Sequence, residues 1–168
     1  MNRPIIPLIP SRSAQLLDRL SLLGLVFIWI YCIAQYTKLP DIIPTHFNMK
    51  GLPDDHGSKA SIFILPAIIS LVYILLTFLN RYPHLFNYPQ SITADNAKEA
   101  YTSATKLIRI IKLIIIVFTV ILSIDIVRSA RSGESKLTWW IIPAFILAMI
   151  IPVLITIRDS FKSKPKSS

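Results

Sequence analysis

Residues 61–80 read SIFILPAIISLVYILLTFLN, twenty positions without one Asp, Glu, Lys or Arg. A membrane hydrocarbon core of about 30 Å is crossed by a helix of about 20 mostly apolar residues. This run is apolar on every side, so it has no polar face to turn toward water. Three more runs of this kind flank it: about Leu20–Tyr36, about Ile110–Val127 and Thr138–Ile157. Barrel strands would be short and alternating, whereas these runs are long and continuous. The pattern predicts an all-α integral membrane protein, a single four-span domain over residues 1–168. Its four transmembrane helices form two helical hairpins, the second over about 93–157.

Composition agrees. Of the 168 residues, 53% are apolar and 16% charged, and mean hydropathy is +0.57. A soluble domain carries about 25% charged residues, so this chain is too poor in charge to be one. Four Gly and one Cys exclude collagen and a disulfide scaffold. The single thiol, Cys32, lies in the first span and reads as a small apolar side chain. The first span reads as retained, because it follows a leader and no small-x-small cleavage site accompanies it.

The net charge is +9. Twelve cations fall on one side of the four spans: Arg3, Arg12, Arg19, Arg81, Lys98, Lys106, Arg109, Lys112, Arg158, Lys162, Lys164 and Lys166. Six fall on the other: Lys38, Lys50, Lys59, Arg128, Arg131 and Lys136. Cationic loops stay inside, so both termini are expected in the cytoplasm, with the chain multi-pass in the plasma membrane. Cations dispersed around four spans make no nucleic-acid footprint. Tyr31, Tyr36, Tyr82, Trp139 and Trp140 mark the headgroup levels.

Between the spans, Pro4, Pro7 and Pro10 keep the leader irregular. Thr93 or Asp95 can cap a long helix running to Val127, whose first four turns extend span three into the cytoplasm. On that extension Lys106, Arg109 and Lys112 follow at steps of three and predict a basic face toward anionic lipid or an acidic ligand. Asp125, an acid within span three, is a functional candidate by position, with Arg128 available as a local ion-pair partner. Pro66, Pro143 and Pro152 are expected to kink their helices.

The most patterned segment is the first outer loop. It reads Leu39-Pro40-Asp41-Ile42-Ile43-Pro44-Thr45-His46-Phe47-Asn48, then Gly51-Leu52-Pro53-Asp54, then Gly57-Ser58-Lys59. Pro40, Pro44 and Pro53 with Gly51 and Gly57 specify tight turns, both glycines being expected at positive φ. Asn48 can bond its own backbone in a turn. Ile43 and Phe47 favour a structured cap over a loose link. His46 and Asp54, with Asp55 and His56 nearby, are weak metal candidates. Turn capping is the plainer use of these side chains, and neither a metal nor another cofactor is expected.

This loop resembles the signature of the domain-of-unknown-function 1648 family, small bacterial membrane proteins in which a Leu-Pro-x-x-Ile-Pro-x-His-Phe-Asn…Gly-x-Pro-Asp…Gly-x-Lys string joins two spans. The resemblance covers about residues 20–80. It implies a multi-pass plasma-membrane protein, distantly related to immunity proteins against the sporulation-delay toxin.

No phosphate-binding glycine loop, nucleophile elbow or zinc-protease helix motif occurs. The expected function is therefore non-enzymatic: toxin immunity or envelope sensing through the outer loop. Its partners would be the bilayer, anionic lipids at the cytoplasmic face, a peptide toxin or membrane protein, and a second copy of the chain. The alternatives are a small transporter or oligomeric channel component, and a metal-dependent outer-face enzyme.

Overall fold

A computed structural model describes residues 3–48, 50–132 and 140–162. Four helices, α1 (Arg12–Tyr36), α2 (Ile64–Leu79), α3 (Ala97–Ser132) and α4 (Ile141–Lys162), are each long and apolar enough to cross a membrane once the 3₁₀ turn Lys59–Phe63 is counted with α2. Between α1 and α2 stands a two-stranded antiparallel hairpin, β1 (Ile42–Phe47) and β2 (Pro53–Ser58). A second 3₁₀ turn, Pro83–Leu85, lies in the connection between α2 and α3. The ends of the bundle are named here for what covers them: the hairpin end, and the leader end where residues 3–11 lie.

The helix limits shift for local reasons. α1 begins at Arg12, ahead of the expected Leu20, because the Ser11 hydroxyl accepts the Ala14 N–H at 3.2 Å and Pro10 precedes that cap. α3 begins at Ala97, after the expected Thr93. The Asn96 side chain accepts the Thr93 N–H at 2.9 Å and holds residues 93–96 as a turn. It then runs past Val127 to Ser132, since no Gly or Pro interrupts it. Pro66 and Pro143 occupy the first turns of α2 and α4, where a missing N–H leaves no helical bond unmade. Of the three prolines expected to kink, only Pro152 lies in a helix interior. Residues 133–139, with Lys136, Trp139 and the expected span start at Thr138, lie outside the described residues, as do Lys164 and Lys166.

α3 is the central element and packs on all three other helices. Its buried residues Tyr101, Thr105, Lys112, Ile116, Thr119, Ser123 and Val127 recur at steps of three, four and seven. This is the seam spacing of a gently crossing helix pair. On α1 the matching stripe is Ala14, Ser21, Ile28 and Cys32. Gly24 lies beside it, and a Cβ added there would meet Ile116 Cγ2 at 2.6 Å, so the helices approach backbone to side chain. Trp29 of α1 donates to the Ser70 hydroxyl of α2 at 3.0 Å. Phe118 of α3 stacks on Phe145 of α4 at 4.1 Å.

The outer surface reverses the soluble pattern. Ile30 and Ile33 of α1, Leu71 and Ile74 of α2, and Leu147 and Leu154 of α4 are all exposed. Polar Ser21, Thr105, Lys112 and Thr119 are buried instead. An apolar belt around a partly polar interior suits lipid as the surrounding solvent. The chain is a multi-pass membrane protein.

Candidate functional site

The outer loop expected as a run of turns is a β-hairpin. Pairing runs from Ile42 opposite Ser58 to Phe47 opposite Pro53, with irregularities on either side of His46. β-Branched Ile42, Ile43 and Thr45 favour the strand, and a bulge tolerates prolines that cannot donate to a ladder. The turn is built by Asn48. Its carbonyl accepts the Gly51 N–H at 2.8 Å, and its side-chain oxygen accepts the N–H groups of Lys50 at 2.9 Å and Leu52 at 3.2 Å. Gly51 has φ 75°, as expected. Gly57 does not have positive φ, and its glycine requirement is steric: an added Cβ would meet Thr45 Cγ2 at 3.0 Å.

Removing the turn should loosen the cap. Asn48→Ala deletes the acceptor for two N–H groups, and Gly51→Ala forces a Cβ into the left-handed region. Each should cost about 1 kcal/mol. Hydrogen exchange of the hairpin amides, compared with those of α2, would register this as faster local opening confined to residues 42–58.

One side of the hairpin is tied down. Leu39 and Ile43 join the buried cluster of Ile28, Cys32, Ile62, Ile69, Ile116 and Val127. Pro44 is also buried. At the base, Lys59 N–H donates to Asp41 O at 2.9 Å, and the Lys59 ammonium pairs with the Asp41 carboxylate at 2.9 Å. The same ammonium lies over the Tyr36 ring at 5.3 Å. Tyr36 in turn meets Phe63 at 5.3 Å.

The other side is open. Pro40, His46, Asn48 and Asp54 are exposed, as are Asp55 and His56, while Phe47 and Pro53 are half-buried. His46 Nδ1 and an Asp54 carboxylate oxygen meet across the strands. Among the described residues no third His, Cys, Asp or Glu joins them. Between the hairpin and helices α2, α3 and α4 lies a cavity of about 370 Å³. Ile43, His46, Phe47, Leu65, Phe118 and Ile142 are among its walls. Ser123 also lines it, and its buried hydroxyl has no hydrogen-bond partner among the described residues.

The three cations expected as one basic face part company. Three residues turn a helix about 300°, so steps of three drift about 60° each and Lys112 lies about 120° round from Lys106. Lys106 stays exposed, whereas Lys112 is 2% exposed. Lys112 Nζ donates to Asp18 Oδ1 at 2.9 Å and to Thr77 Oγ1 at 3.1 Å, and lies 4.6 Å from the Tyr73 ring centre. Arg109 Nε donates to Asp18 Oδ2 at 2.8 Å, and its Nη1 donates to Thr105 O at 3.1 Å. One carboxylate on α1 thus holds two cations of α3, and one of these reaches α2.

Asp18 escapes a reading of apolar runs because it precedes Leu20, yet it lies within α1. One signal could have found it. Its neighbours at three and four positions are Ala14, Gln15, Ser21 and Leu22, none of them cationic. A carboxylate entering an apolar helix without a local partner needs one from another element. Asp125, the acid expected to act within span three, is half-buried towards the hairpin end of α3, while Arg128 is exposed.

At the leader end the chain folds back across the bundle. Arg3 Nη1 donates to the carbonyls of His84 and Phe86, and its guanidinium lies 5.6 Å from the Tyr88 ring centre. Tyr101 OH donates to Pro4 O at 3.1 Å, and Tyr88 OH to Pro83 O at 2.9 Å. Burial pushes the Tyr88 phenol well above its ordinary pKa, so it stays a neutral donor.

Residues 23–70 match the family described as a domain of unknown function (DUF1648). An uncharacterized protein of Archaeoglobus fulgidus is 29% identical over 162 residues, covering 88% of this chain and 87% of the relative. Neither description mentions toxin immunity, and the relative is archaeal, so the likeness reaches beyond bacteria. No solved structure matches. The matched stretch runs from α1 through the hairpin into α2. The chain is a multi-pass membrane protein in which the stretch that matches the DUF1648 model, residues 23–70, is centred on the β1–β2 hairpin.

Proposed function

We propose that the protein is a non-enzymatic recognition protein of the cell membrane, and that its hairpin cap captures an amphipathic peptide at the outer face. The observation that carries this reading is the 370 Å³ cavity under the cap. It combines an apolar wall with the polar side chains of Thr45 and His46 on the hairpin side, and the exposed Asp54 carboxylate pairs with His46. An amphipathic peptide arriving from the bilayer surface has the matching pair of faces. Toxin immunity and envelope sensing are the two roles this binding serves. The excess of Lys and Arg at the leader end supports an orientation with both termini cytoplasmic and the hairpin outside.

Cells expressing the protein should survive at least one member of a panel of membrane-active peptides better than empty-vector cells. H46A/D54A, which alters only exposed side chains, should remove most of that protection at equal expression. Equal survival of expressing and empty-vector cells across the whole panel would refute the proposal.

A further inference from the structure

We propose that the leader end holds a second binding site, for an anionic phosphate ester, at the level of the lipid headgroups. A pocket of about 330 Å³ lies between the leader, the end of α2 and α3. That is within the range of small-molecule clefts, about 300–1,000 Å³. Ile6 and Leu8 of the leader form one wall, while Arg81, Lys106 and Arg109 line it with three positive charges and no carboxylate. Arg81 and Lys106 are exposed and have no carboxylate partner among the described residues.

Arg109 forms the inner end of this charge. Asp18 and Thr105 take its Nε and Nη1, which fixes the guanidinium and leaves Nη2 without a protein acceptor among the described residues. A planar donor held in place beside two free cations suits a tetrahedral anion. Asn80, also on the wall, donates its Nδ2 to Thr105 O at 3.2 Å. The pocket therefore presents fixed and free positive charge to an anion and no carboxylate to repel it.

Depth gives the level. From Asp18 to Tyr36, α1 rises roughly 27 Å, close to a whole hydrocarbon core of about 30 Å. The pocket lies on the leader side of Asp18, where phosphates of one leaflet run. The ester is therefore supplied either by a glycerophospholipid headgroup or by a free phosphate ester from the aqueous side.

Native mass spectrometry of the detergent-purified chain can test this with phosphatidylglycerol, which carries a net negative charge, and phosphatidylcholine, whose quaternary ammonium cancels that of its phosphate. Phosphatidylglycerol should bind at least tenfold more tightly. R81Q/K106Q, which removes two exposed cations without touching the Asp18 cluster, should weaken it at least tenfold. K38Q/K50Q at the hairpin end should leave it unchanged. Glycerol phosphate forms the second arm. If it raises the melting temperature and R81Q/K106Q removes that rise, the ester is the free one. If only the lipid binds, it is a headgroup. Equal affinity for both lipids with no effect of glycerol phosphate would overturn the proposal, as would undiminished binding of both esters by R81Q/K106Q.

Discussion

Asp18→Ala should destabilise the protein by about 3 kcal/mol, the low end of the range for removing one partner of a buried ion pair, because Asp18 itself is 37% exposed. At this chain length that is a fall in melting temperature of roughly 10 °C. The effect is large because a single carboxylate serves two cations. Arg109 can turn toward the leader-end pocket and recover water. Lys112, 2% exposed, cannot, and keeps only the Thr77 hydroxyl and the Tyr73 ring. The comparison that isolates the cause is a second substitution: Lys112→Met in the Asp18→Ala background removes the stranded charge and keeps an unbranched side chain in its place. The double variant should recover most of the loss, since replacing a buried pair by apolar groups is often close to neutral. Thermal unfolding of all four proteins in one detergent supplies the cycle. A single variant that melts with the wild type would show that the cluster is open to water.

The four spans were readable because lipid imposes one coarse requirement, about twenty residues without polar faces, and hydropathy reports it directly. Helix ends were less readable because caps decide them. Ser11 extends α1 outward through Arg12 and Asp18, and Asn96 delays α3. The hairpin was hidden for a different reason. Pro40, Pro44 and Pro53 suggest turns, and two of them in fact lie in short, irregularly paired strands. The turn itself was legible: Asn48 bonds its own backbone and Gly51 takes positive φ, both as its residue types predict. Gly57 was misread because a steric need for glycine and a conformational one look the same in sequence.

The ion cluster marks the limit of one-dimensional reading. Steps of three at Lys106, Arg109 and Lys112 look like one face only while the 60° drift is ignored. Their fates then depend on which helix lies opposite. Lys112 meets α1 and α2, Arg109 is shared between Asp18 and the pocket, and Lys106 stays exposed at the pocket. Nothing local to α3 encodes that division. It follows from α1 lying close enough to bring Asp18 between the two cations.

That closeness is itself testable, and Gly24→Leu should disrupt the bundle more than any surface change on α1. An added Cβ alone would lie 2.6 Å from Ile116 Cγ2, inside any normal carbon contact. Ile116 is 1% exposed, and its β-branch is held near one rotamer in a helix, so the methyl cannot swing aside. Overpacking of this kind costs about 1–3 kcal/mol, and leucine adds three further carbons to the clash. The helices must then separate, and separation lengthens the bonds from Asp18, about 1.7 turns away on α1. Gly24→Leu should therefore weaken the Asp18 cluster as well as the seam. Gly24→Ala with Ile116→Ala gives the discriminating comparison. The double variant trades one methyl for the space of a truncated isoleucine, so it should melt above Gly24→Ala alone. If instead the two losses simply add, the α1–α3 contact is not what sets the stability of this end of the bundle.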